Sequence, residues 1–142
     1  MAKKDLIKFI GIFLVLSQIL FSCDNNSETR STVSSNLNVN NARELINENQ
    51  NNSDFIILDL RTPQETRQGI IKGAILLDFM KSNFKTKLGQ LDRTKDYLIH
   101  CQSGYRSDKT QQLMEKMKFK KIYNMFSGFF SWRNKGYRFV YP

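Results

Sequence analysis

Histidine and tryptophan each occur once in this chain, and cysteine and proline twice each. With His100 alone, a Ser-His couple or a His-rich metal site lacks its parts. Cys23 and Cys101 lie far apart in unlike surroundings, so they build neither a disulfide framework nor a Cys-rich zinc site. Two prolines and seven glycines exclude a collagenous or Pro-rich extended chain. Acid is short as well: 13 Asp and Glu stand against 22 Lys and Arg, a net charge of +9 that favours anions without choosing among them. No repeat and no late shift in composition marks a second domain, and 142 residues at 40% apolar with eleven Phe fit one core. Nothing here asks for a metal or a cofactor.

What is present begins with an address. Lys3, Lys4 and Lys8 precede Phe9 to Phe21, which is apolar apart from Gly11, Ser17 and Gln18, the pattern of a signal peptide over residues 1–22. That run is shorter than the roughly 20 residues needed to span a bilayer. Leu20-Phe21-Ser22-Cys23 resembles the lipobox of bacterial lipoprotein signals, with Phe21 larger than usual. The resemblance implies cleavage before Cys23, acylation of Cys23 and attachment to a membrane of the cell envelope. Residues 23–38, with Val33 and Leu37 as their only large apolar side chains, are expected to be a flexible tether.

From 39 to 142 the pattern is that of one α/β domain. Asn41 followed by Glu44 signals a helix start, with Ala42, Leu45 and Ile46 as the apolar face of a helix reaching about Asn49. Phe55–Leu58, Ala74–Leu77, Tyr97–His100 and Lys121–Asn124 are strand-like runs, and a helix starting near Ser107 presents Leu113, Met114 and Met117. Strands alternating with helices predict an open, mostly parallel sheet flanked by helices, with ligand chemistry at the C-terminal ends of strands, where Asp59 and Cys101 fall.

The segment after the third run, Cys101-Gln102-Ser103-Gly104-Tyr105-Arg106-Ser107, carries the chemistry. A cysteine there faces main-chain N–H groups at a helix start, which favour its thiolate, and Arg106 adds a guanidinium. Gly104 lets the loop curl, and Ser103 and Ser107 offer hydroxyls.

Cys-x-Ser-Gly-x-Arg-Ser resembles the active-site loop of single-domain rhodaneses, a family of sulfurtransferases. Asp59-Leu60-Arg61 with Glu65, the stretch Gly69 to Ile75, and Gly128, Trp132 and Gly136-Tyr137 resemble further motifs of that family in order. Departures are Ile70 for the usual His, Lys72 for the usual Pro, and Lys118 where a Gly often ends the helix.

The resemblance implies that Cys101 takes a sulfane sulfur from a small anionic donor such as thiosulfate and passes it, as a persulfide, to a thiol or cyanide. Gln102, Ser103, Gly104, Tyr105 and Arg106 would cradle that sulfur, and Asp59, Arg61 and Ser107 would support the loop. Related phosphatases and arsenate reductases use Cys-x5-Arg; the spacing here is Cys-x4-Arg, which favours sulfur over phosphoryl transfer. A catalytically idle binding module is the alternative. His100 is expected to be a core histidine on the opposite face from Cys101. Phe126, Phe129, Phe130 and Trp132 are expected to be core and pocket wall, not a nucleic-acid surface.

Overall fold

The computed structural model describes residues 31–142. The expected signal peptide, Cys23 and the first part of the expected tether lie outside the described residues. Ten elements follow in chain order: β1 (Val33–Leu37), α1 (Val39–Glu48), β2 (Phe55–Asp59), α2 (Pro63–Thr66), β3 (Ile75–Leu76), α3 (Phe84–Gly89), β4 (Asp96–His100), α4 (Tyr105–Lys116), β5 (Lys121–Met125) and α5 (Gly128–Asn134). The five strands form one parallel sheet in the order β1-β5-β4-β2-β3. The expected open α/β architecture is what the chain adopts.

Alternation along the central strands divides the core between the two faces. Leu58, Tyr97, Ile99 and Ile122 pack on one face with Phe84 and Leu88 of α3 and Met114 of α4. Ile57, Leu98 and Met125 pack on the other with Val39 and Ala42 of α1 and Phe129 and Trp132 of α5.

Part of the stretch expected as a tether is structured. Val33–Leu37 is the edge strand β1, paired along its length with β5. A parallel edge strand is held by main-chain hydrogen bonds and needs little apolar side chain; Gln111 of α4 also donates to Ser34 Oγ at 2.7 Å. The cap of α1 moves accordingly: Asn38, not Asn41, accepts the N–H groups of Asn40 and Asn41 at 2.9 and 3.0 Å. Helix α4 begins at Tyr105, two residues before the expected Ser107, and the second run, Ala74–Leu77, shrinks to Ile75–Leu76 at the sheet edge. Lys118 does end α4 in the left-handed region, at φ 62°, a conformation that costs a non-glycine residue about 1 kcal/mol. It lets the Phe119 N–H reach back to Met114 O at 3.1 Å.

Candidate active site

Strand β4 delivers Cys101 to the C-terminal end of the sheet, and three residues later Gly104 turns the chain into α4. Gly104 sits at φ 104°, and a Cβ there would lie 2.0 Å from the carbonyl oxygen of Phe126. Only glycine fits this turn. The fold thereby aims Gly104 N–H at Cys101 Sγ, 3.2 Å away.

Burial pushes the Cys101 thiol up, yet the main-chain N–H groups of Ser107, Ser103 and Gly104, with the Ser107 hydroxyl, outweigh it and hold the thiol below its ordinary value. The Ser107 hydroxyl also donates to Gly104 O at 2.9 Å. Cys101 itself is 1% exposed and packs among Leu58, Ile99 and Met114. The sulfur is thus an amide-facing group at the floor of its site.

The carbonyls on the loop's other side are pinned by α5. Phe129 N–H donates to Cys101 O at 2.8 Å and Phe130 N–H to Gln102 O at 3.0 Å. Gly128 permits the approach, because a Cβ on it would lie 2.4 Å from Gln102 O. With these carbonyls turned away, the following amides face the sulfur. Sequence reasoning placed α5's aromatics in the core and missed this contribution of its N-terminal amides; the Gly128 of the C-terminal motif was the signal that could have found it.

Arg106 stands at the loop's end, but its first partner is a carboxylate. Its Nη1 and Nη2 donate to Glu65 Oε2 and Oε1 at 2.8 and 2.5 Å. Glu65 also accepts the Thr62 N–H and hydroxyl at 2.8 and 2.9 Å, a reciprocal capping box that starts α2. The Arg106 guanidinium beside it holds the Glu65 carboxyl at about 2. Arg106 is raised in turn, first by Glu65 and more weakly by Cys101. Glu65 was visible in the sequence only as a motif residue; its role depends on a contact across 41 positions.

Asp59 and Arg61 form a buried pair beneath the site. Arg61 Nε donates to Asp59 Oδ1 at 3.0 Å and Nη2 to Oδ2 at 2.7 Å; Nη2 also reaches Gly69 O at 2.7 Å. The guanidinium lies 3.8 Å from the centroid of the Phe129 ring. His100 is wholly buried, and that burial lowers its pKa and keeps it neutral. Its Nδ1 lies 3.3 Å from Cys101 O, and Nε2, 3.7 Å from Asp59 Oδ2, has no hydrogen-bond partner.

Ser103, Gly104 and Ser107 turn amides to the sulfur, Gln102 contributes its carbonyl to α5, and Tyr105 points its ring outward at 69% exposure. Phe129 and Trp132 are core, as expected, but Phe126 and Phe130 are exposed. A cavity of about 220 Å³, lined by Arg61, Pro63, Leu77, Lys81 and Lys87 among others, opens at the same end of the sheet, but no residue of the Cys101 loop lines it. Among the described residues no three His, Cys, Asp or Glu side chains stand together as a metal site would require.

Comparison with known proteins agrees with this geometry. Residues 40–135 match the family described as Rhodanese-like domain. A sulfurtransferase from Allochromatium vinosum is 27% identical over 89 residues, covering 63% of this chain and 81% of that protein. A rhodanese-related protein from Thermoplasma volcanium superposes with a TM-score of 0.60 at 26% identity, covering 76% of this chain and 97% of the other. The polysulfide-sulfur transferase of Wolinella succinogenes shares the fold, with a TM-score of 0.61 at 23% identity over 78% of this chain and 79% of the other. With most of its length inside the family match and a loop built around one amide-facing cysteine, this chain belongs to the rhodanese-like domain family, whose members include sulfurtransferases.

Proposed function

We propose that the protein is a sulfurtransferase that carries sulfane sulfur on Cys101. The observation that carries the reading is the ring of loop amides on Cys101 Sγ, with Gly104 N–H at 3.2 Å and the N–H groups of Ser103 and Ser107 also lowering the thiol. Such a ring stabilises one negative sulfur, first as a thiolate and then as the outer atom of a persulfide. In the first displacement the Cys101 thiolate attacks the outer sulfur of a donor of the thiosulfate type. A new S–S bond forms, the donor's own S–S bond breaks, and sulfite leaves with the electron pair. In the second, cyanide or a thiolate attacks the outer sulfur of the persulfide, and the Cys101 thiolate is restored. Two displacements through a covalent intermediate give ping-pong kinetics.

We also propose that Cys23 is acylated and that the domain works at a membrane of the bacterial cell envelope, on the strength of the Leu20-Phe21-Ser22-Cys23 motif. The mature chain then holds no second free thiol, so the acceptor comes from outside.

Intact-mass measurement after incubation with thiosulfate tests the chemistry. The full chain is expected to gain the mass of one sulfur, and Cys101→Ser none. Turnover of thiosulfate and cyanide by Cys101→Ser would refute the assignment, and an idle binding module would gain nothing. For the anchor, a labelled fatty acid is expected on the wild type and not on Cys23→Ala; equal label on both would remove the proposal.

A further inference from the structure

The cavity of about 220 Å³ between the residues that follow β2, the edge strand β3 and helix α3 takes no part in the Cys101 chemistry, because no residue of the Cys101 loop lines it. Its lining is nonetheless cationic. Arg61 stands in it with its charge balanced by Asp59. Lys81 and Lys87 line it too, and among the described residues neither has an ion-pair partner. Lys95, Lys120 and Lys121, by contrast, each stand against an aspartate. Asp78 is the one acid in the lining, and its Oδ1 accepts the Met80 N–H at 2.9 Å. Two ammonium groups are left without a counter-charge at one concave place, which suits an anion.

The fold holds these groups together. Asn83 and Lys87 stand four residues apart and so share one face of α3, while Phe84 and Leu88 fix the helix in the core. Asn83 occupies the N-cap of α3, yet its side chain makes no capping hydrogen bond, which leaves its amide to the cavity. The rest of the wall is apolar: Pro63, Leu76 and Leu77, with Leu76 44% exposed at the sheet edge. A dry cavity of about 150 Å³ holds a benzene molecule, so the volume here suits a body of that size with a headgroup. An inorganic anion would meet the lysines and leave the leucine wall in water; an uncharged hydrocarbon would do the reverse.

We propose that this cavity is a binding site for a small organic acid, a carboxylate or sulfonate on an apolar body of about six carbons. Lys81 and Lys87 meet the anion, Asn83 donates to it, and Leu76 and Leu77 lie against the body. Arg61 stays with Asp59, so the lysines supply the charge. The site is separate from Cys101 and does not depend on the sulfur chemistry proposed above.

Hexanoate, acetate and hexanol test the proposal on the full chain, in a titration read from the NMR methyl signals of Leu76 and Leu77. Hexanoate is expected to saturate these signals. Acetate should bind about tenfold or more weakly for want of four methylene groups, and hexanol about tenfold or more weakly for want of a charge. Lys81→Ala/Lys87→Ala is expected to weaken hexanoate about tenfold; both lysines are exposed, so the variant folds. Acetate binding as well as hexanoate would reduce the site to two surface lysines, hexanol binding as well would reduce it to an apolar cleft, and either result overturns the proposal. So would an unchanged affinity in the double variant, or leucine signals that move with none of the three. Cys101→Ser is expected to bind hexanoate as the wild type does, and loss of binding there would put the acid on the Cys101 loop instead. Failure of sulfur transfer at Cys101 leaves this site standing, and failure here leaves that chemistry untouched.

Discussion

The side chains of Arg61 and Asp59 meet at 1 and 0% exposure, whereas those of Arg106 and Glu65 meet at 16 and 27%. Both are bidentate arginine–carboxylate pairs at the same end of the sheet. Water cannot replace a lost partner in the first, and Arg61 also holds the Gly69 carbonyl and lies on the Phe129 ring, tying the end of β2 to the turn before β3 and to α5. In the second, solvent screens the attraction, so the pair matters less for holding the fold than for the charge it presents beside Cys101. Burial, not chemistry, assigns one pair to architecture and the other to tuning the thiol.

Removing one partner of the buried pair should give the largest effect. Asp59→Ala leaves a guanidinium stranded in the core and is expected to cost about 3–5 kcal/mol, read from the denaturant midpoint. A loss below about 1 kcal/mol, the range of exposed pairs, would erase the distinction between the two. Replacing each arginine by lysine sharpens it. Arg61→Lys keeps the charge but gives up the fork and the contact with Phe129, and should cost about 2 kcal/mol. Arg106→Lys should cost under about 1 kcal/mol. Equal losses at the two positions would contradict the assignment.

The division was only partly legible in the sequence. Apolar runs ending in Asp59 and His100 announced buried parallel strands, and the spacing from Cys101 to Arg106 announced the loop, because both are local signals. Three features were not local. β1 is held by main-chain pairing, which composition does not report. The short helices α2, α3 and α5 run 4, 6 and 7 residues, too few to show a helical period. Glu65 and the α5 amides reach the Cys101 loop only through the fold. Arg106 beside Cys101 was plain from spacing; that Glu65 already holds it was not.

Glu65→Gln probes that hidden contact. Glutamine preserves the capping box while releasing Arg106 from a neutralising charge. The Cys101 thiol is then expected to titrate lower, read from the pH dependence of its alkylation by iodoacetamide. A shift upward would mean that Glu65 serves the thiolate by orienting Arg106 and not by limiting its charge.

The smallest effect is a stability change in acid, and its sign follows from the same pair. In the folded chain the Glu65 carboxyl lies at about 2 instead of 4.5, chiefly through its hydrogen bond to Arg106 and against the opposing effect of burial. The unfolded chain therefore takes up the proton first. The contribution of the pair is present in full above the unfolded value and drains away as pH falls from about 4.5 toward 2. Because both side chains are partly exposed, screening holds it to about 1 kcal/mol, and salt should reduce it further. His100 acts in a separate window: it is kept neutral by burial, so its contribution is lost as the unfolded histidine protonates below about 6.5. Unfolding midpoints followed against pH should show two acid limbs in the wild type, and Glu65→Gln should delete only the lower. A lower limb that persists in that variant would place the titration on another carboxylate and remove the Arg106–Glu65 pair from the account of acid stability.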